Sequence, residues 1–166
     1  TKGYTLTELV STIDSLENKN KPPKPDIPVP GGDFNADTAT EILPKQFYGK
    51  YELEGELSCP NVTKVGAEAF VGTDYNIVKL PKATEIDKDA FRYSNIKVLY
   101  IPSFVWKDGN LKLDNSSYST YMLNKIVVAD ESVPPSDISF NKVDFEVYNH
   151  DETKKWDIYM NVWKNA

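Results

Sequence analysis

An α+β repeat solenoid is the fold class the sequence predicts, with one short strand per coil, a parallel sheet on the concave face and a C-terminal capping helix. Three observations predict it. The segments "ATEILPKQFYG" (39–49), "VTKVGAEAFVG" (62–72) and "ATEIDKDAFRY" (83–93) align on a phenylalanine and begin 23 and 21 residues apart. Pro60, Pro81 and Pro102 keep a 21-residue beat, and each follows a short apolar alternation, "LSC", "VKL" or "LYI". Near the end, Trp156, Tyr159, Met160 and Trp163 fall at 0, 3, 4 and 7, the apolar stripe of a two-turn helix.

Taken in order, the first element is an amphipathic helix over 1–21. Leu6, Leu9, Val10, Ile13 and Leu16 share one face, and Thr5 with Glu8 forms a capping box. Pro22 and Pro23 end it. A Pro/Gly-rich linker follows at 22–32, where five of the nine residues from Pro22 to Pro30 are proline, a composition that favours extended polyproline II. The repeat domain is expected over 33–166, with coils near 39–59, 60–80 and 81–101, an irregular stretch at 102–128, and a terminal coil and cap at 129–166.

In each regular coil the alternation predicts a strand with one buried face, carrying Leu57 and Cys59, Val78 and Leu80, or Leu99 and Ile101. Proline closes the strand, where its missing N–H is tolerable. The Thr-x-Ile/Val and the Phe then turn inward from the opposite wall. A single coil cannot bury these residues; stacked coils can. Past Pro102 the pattern breaks. "VWKDGNLKL" reads as a hairpin around Asp108-Gly109, "DNSSYSTY" (114–121) follows, and a strand returns at Lys125–Val128. In the closing helix, Asn149 with Glu152 is the expected cap.

The repeat of strand, proline and [A/V]-T-x-[I/V]-x4-F resembles the BspA-like leucine-rich repeats of bacterial cell-surface proteins. "VTKVGAEAF" matches the second half of that family's unit almost letter for letter, and "KIVVADESVPPSD" followed by "FEVYNHDETKKWDIYMNVWKN" is similar to its terminal coil. Departures are Leu43-Pro44 and Gln46 where Gly and Ala are usual, and the loss of the pattern after Pro102. The resemblance implies a leucine-rich-repeat solenoid, a bacterial source, a secreted or cell-surface address with a lipid anchor as a candidate, and attachment to a protein ligand on a host or neighbouring cell.

Composition narrows the function classes. The 166 residues are 40% hydrophobic and 27% charged, enough to bury a core, and the net charge of -6 argues against a nucleic-acid backbone as partner. No run of 18 apolar residues is present, so no transmembrane segment is expected. One cysteine, Cys59, and one histidine, His150, give no disulfide, and no catalytic or cofactor-binding motif appears. No cofactor and no enzymatic activity are expected. Asp33, Asn35 and Asp37 echo the spacing of a calcium loop, but Thr38 stands where that loop needs glycine, and no metal site is assigned.

Binding is the expected role. Residues alternating away from the core form columns on the sheet, with Glu56, Ile77 and Val98 in one and Ser58, Lys79 and Tyr100 beside it, continued by Val127 and by Glu146 or Tyr148. An Ile77–Val98–Tyr100–Val127 patch is one candidate surface. The 103–123 insertion is the other, because tyrosine with serine and asparagine makes adaptable contact loops. Candidate ligand-binding residues are therefore Ile77, Lys79, Val98, Tyr100, Trp106, Tyr118, Tyr121 and Val127. The alternatives are glycan capture, with Trp106, Tyr100, Tyr118 or Tyr121 stacking on sugar rings, and a purely structural spacer.

Overall fold

The computed structural model describes residues 28–29, 32–107, 109–111, 113, 123–134, 145–157 and 159–166. The predicted helix over 1–21 lies outside them. The chain divides into two compact units, Thr1–Phe34 and Asn35–Ala166. In the first, strands β1 (Pro28–Val29) and β2 (Gly32–Asp33) pair antiparallel, running across the end of the stretch read as a linker, 22–32, into residue 33.

The second unit is a β-solenoid of about four turns. Its strands are β3 (Glu41–Ile42), β4 (Glu54–Ser58), β5 (Lys64–Val65), β6 (Asp74–Lys79), β7 (Glu85–Ile86), β8 (Val98–Tyr100), β9 (Lys125–Val127), β10 (Glu146–Tyr148), β11 (Lys154–Asp157) and β12 (Val162–Asn165). One wall is a seven-stranded sheet in the order β12-β11-β10-β9-β8-β6-β4, parallel from β4 to β10. The opposite wall is the three-stranded parallel sheet β3-β5-β7.

Two parts of the expected class are corrected here. The fold is not α+β, because the described residues contain no helix, and the C-terminal capping helix is absent. Its stripe belongs to an antiparallel hairpin of β11 and β12, in which Trp156 stands opposite Trp163. A separation of seven brings two residues together on a helix, but it also brings them face to face across a hairpin. Local chemistry selects the hairpin. Asp157 Oδ1 accepts the amide N–H groups of Tyr159 and Met160, and Asn161 adopts a left-handed φ of 51°. The tryptophan rings meet edge to face at 5.2 Å. Tyr159 and Met160, expected on the apolar stripe, are 87% and 65% exposed on the turn. Asn149, expected as the helix cap, instead uses its side-chain oxygen to accept the Lys154 N–H at the start of β11.

The core follows the repeat arithmetic. Leu57, Cys59, Val78, Leu80, Leu99 and Ile101 point in from the large sheet, and Ile42, Val65 and Ile86 from the small one. Between them Phe47, Phe70 and Phe91 form a buried ladder, with centroids 5.2 Å and 4.9 Å apart. Tyr75 packs edge-on against Phe47 and Phe70. Backbone bonds carry the same stacking through the turns: Lys45, Phe47 and Gly49 donate to Ala67, Ala69 and Val71, and Phe70 and Gly72 donate to Ala90 and Tyr93. Leu43-Pro44 is accommodated because Gly66 lies beneath it. A Cβ at residue 66 would come within 2.5 Å of the Pro44 nitrogen.

Beyond Pro102 the chain stays in the core by other means. Phe104, Trp106, Leu111 and Leu123 are buried. Phe104 and Trp106 offer carbonyls to the N–H groups of Ala129 and Val133, and the Trp106 N–H donates to Ser132 Oγ at 2.9 Å. Of the expected hairpin only the closing contact is found, Asn110 N–H donating to Lys107 O with Gly109 at a φ of 78°; neither arm is a strand among the described residues.

Candidate functional site

The strand registers build the outer face of the large sheet residue by residue. One column runs Glu56, Ile77, Val98, Lys125 and Glu146; the next runs Ser58, Lys79, Tyr100, Val127, Tyr148, Lys155 and Lys164. Alternation puts these side chains opposite the core because strand residues two apart share a face.

The face has an apolar centre and charged flanks. Ile77, Val98 and Tyr100 are half-buried neighbours on adjacent strands. On the β4 side Lys79 meets Glu56 at 2.8 Å. On the β10 side Lys155 pairs with Glu146, Tyr148 Oη donates to Glu146 at 2.8 Å, and Lys125 pairs with Glu152 while lying 4.7 Å over the Tyr148 ring. The hydrogen bond from Lys155, joined by that from Tyr148, holds the Glu146 carboxyl below its ordinary value, and the bond to Glu146 raises both partners. Such exposed pairs contribute little stability and fix instead which charges the surface displays.

The structure therefore brings Ile77, Lys79, Val98 and Tyr100 together. Val127 stands in register beside Tyr100 but is fully buried, so it supports the column without offering contact area. Trp106 is also placed in the core, 1% exposed, and its indole N–H donates to Leu111 O at 3.2 Å. Tyr118 and Tyr121 lie outside the described residues. Lys125, Glu146 and Lys155 supply the charged flank. Counting strand positions places Lys125 and Glu146, whereas Lys155 lies in the segment read as a helix and joins the face only through the antiparallel pairing of β11 with β10.

A second surface escaped the strand-based reading. The turns that precede β4, β6 and β8 also stack, and adding 23 and then 21 to Tyr48 and Gly49 gives Val71 and Gly72, then Arg92 and Tyr93. Tyr48 and Tyr51 are 51% and 67% exposed there. The Tyr51 ring lies against Gly72, where an added Cβ would sit 3.1 Å from it. Gly49, Gly72 and Tyr93 take left-handed φ values of 68°, 69° and 56°, so the third coil places a tyrosine where the first two use glycine.

The cysteine, the histidine and the calcium-like spacing each have a defined setting among the described residues. Cys59 is fully buried, far from the setting a reactive thiol needs. His150 is paired through Nδ1 with Asp130 at 2.8 Å on an exposed turn. Asn35, part of the calcium-like spacing, uses Oδ1 to accept the N–H groups of Asp37 and Thr38. No group of three or more His, Cys, Asp or Glu is arranged to hold a metal ion among the described residues. Among them, too, no helix is long and apolar enough to cross a membrane. No family model, curated protein or solved structure matches the chain.

Proposed function

We propose that the chain is a non-catalytic binding module, secreted or displayed on a cell surface, that attaches to a protein ligand through the outer face of its large sheet and the 103–123 insertion. The observation that carries this reading is the half-buried Ile77–Val98–Tyr100 cluster, flanked by Lys79–Glu56 on one side and the Glu146–Lys155–Lys125 network on the other. An apolar centre with a polar rim is the usual anatomy of a protein contact. The address and the bacterial source rest on the resemblance of the repeat to BspA-like surface proteins.

The test is surface plasmon resonance over a panel of immobilised matrix proteins, comparing the chain with an Ile77→Asp/Tyr100→Ala variant and with one carrying Gly-Ser in place of 114–121. Saturable binding to one panel member, lost in either variant at unchanged melting temperature, supports the reading. Binding that survives both variants sinks the assignment to this face. A second reading, glycan capture, is favoured by the exposed Tyr48 and Tyr51 on the stacked turns.

A further inference from the structure

Arg92 is the chain's only arginine. In a protein of net charge -6, a guanidinium would be expected to find a carboxylate. Among the described residues its side chain makes no hydrogen bond or ion pair, and its Nε is buried without a partner. It lies 4.6 Å over the ring of Tyr93. A buried N–H left without an acceptor is unfavourable, and so is a non-glycine residue in the left-handed region. Arg92 and Tyr93 carry both costs side by side. Left-handed backbone recurs at Lys45, Glu68, Glu152 and Asn161 and a buried unpartnered N–H at Trp156, so what sets this turn apart is a guanidinium that no carboxylate of the described residues holds.

The neighbouring turns complete the surface. Gly72 N–H donates to Tyr93 O, and the Tyr51 ring covers Gly72, so Tyr51, Gly72, Tyr93 and Arg92 are successive neighbours across three coils. At about 4.8 Å per coil, Tyr48 and Arg92 stand about 10 Å apart along the stack, close to the length of a disaccharide. The two lysines of the first turn are already engaged: Lys45 with Glu68 at 3.3 Å, and Lys50 with Glu52 at 3.9 Å. Among the described residues Arg92 has no such partner.

We infer that the turns bearing Tyr48, Tyr51 and the Arg92–Tyr93 pair form a site for an acidic saccharide, a uronic or sialic acid unit within a glycan. The sugar carboxylate takes the two terminal nitrogens of Arg92 as a planar fork. The C–H face of an adjoining sugar ring lies on the exposed ring of Tyr51, whose contact area is large and whose side chain loses little freedom. This inference deepens the glycan reading and rests on the chain being a binding module. It uses turns rather than the strand columns, so the two surfaces fail separately.

The experiment is a titration of the isotope-labelled chain with trigalacturonic acid, followed by amide chemical shifts. Neutral galactotriose and a short poly-glutamate peptide serve as controls. Saturable shifts at residues 48–51, 71–72 and 92–93 with the acidic sugar alone support the site. Arg92→Gln and Tyr51→Ala should each weaken binding about tenfold or more, and Arg92→Lys, which keeps the charge but not the fork, should fall between. Tyr48→Ala provides a second ring variant if Tyr51→Ala loses its fold. Equal affinity for galactotriose, preference for poly-glutamate, the absence of saturable shifts, or wild-type affinity in both Arg92→Gln and Tyr51→Ala would each overturn the inference. The matrix-protein panel, run with the strand variants, is unaffected by any of these outcomes.

Discussion

The regular coils, 35–101, and the terminal part, 123–166, hold themselves together by different physics. In the coils the same side chain recurs at the same height, so Phe stacks on Phe and backbone N–H finds backbone C=O in the turn of the next coil. Even polar corners repeat: Asn61 Nδ2 donates to Asp37 O, Lys82 Nζ to Asn61 Oδ1, and Ser103 Oγ to Pro81 O. Among the described residues of the terminal part the coil motif does not recur, and beyond the β9–β10 ladder and the Trp156–Trp163 pair the strands are tied by single polar contacts. Lys155 meets Glu146, Lys164 meets Asp157, Lys125 meets Glu152, His150 meets Asp130, and Trp163 Nε1 donates to Ser132 O. The difference teaches that a repeated apolar position is itself a stabilising device, since each copy buries its neighbours. Where repetition stops, individual polar contacts take over, and most of these are exposed and weak.

The largest effect should come from breaking the phenylalanine ladder. Phe70 touches Phe47, Phe91 and Tyr75, and Phe70→Ala should cost about 3–5 kcal/mol in chemical denaturation. Trp163→Ala, in the half-buried hairpin, should cost distinctly less. If the tryptophan change proves the more damaging, stability resides in the cap and the comparison is reversed.

A smaller effect tests how closely the coils stack. Gly66→Ala would set a methyl against the Pro44 nitrogen, a backbone atom that cannot swing aside. A cost of about 1–3 kcal/mol is expected, the range for overpacking, with loss of amide protection at Gly66, which donates to Ile42 O. A neutral result would mean that the first two coils slide apart freely and that backbone stacking is less strict than the ladder implies.

Legibility in the sequence follows the same divide. In the coils, period and alternation place Ile42, Val65 and Ile86 inside, along with all three ladder phenylalanines, because a repeat is read by comparing copies. The cap was misread because the 0, 3, 4, 7 spacing of Trp156, Tyr159, Met160 and Trp163 satisfies two geometries. The deciding signal was the turn chemistry of Asp157 and Asn161, which is local and easily outvoted by hydrophobic spacing. Trp106 shows another limit. An aromatic residue in an insertion looks available for ligands, yet the Leu111 carbonyl satisfies its indole and it fills the core. The outer columns were legible because alternation is a counting rule. The Arg92 turn was not legible because the residues at its height differ from coil to coil: Tyr48 and Gly49, Val71 and Gly72, Arg92 and Tyr93.

The smallest expected effect concerns pH and lies wholly in the terminal part. His150 is raised above its ordinary value near 6.5, first by its hydrogen bond to Asp130 and then by the carboxylates around it: Asp130 itself, Asp151 and Glu131. Asp130 is lowered, chiefly by the same bond. Asp151, held by the hydroxyl and amide of Thr153, is pulled down to about 2 and stays ionised throughout. A histidine raised on folding contributes stability that is fully present below pH 6.5 and is lost as pH rises through the raised value. A lowered carboxyl contributes above its ordinary value of 3.8 and loses that contribution as pH falls through the lowered one. The contact is therefore strongest between about pH 4 and 6.5, where both partners carry full charge. Amide exchange at His150, whose N–H reaches Asp130 Oδ1, should quicken relative to the coils, after correction for intrinsic rates, on passing from pH 5.5 to pH 8. His150→Gln should flatten that change and leave the coils untouched. Equal acceleration in both regions would show that the terminal part opens only with the whole solenoid, and the two kinds of packing would then form one cooperative unit.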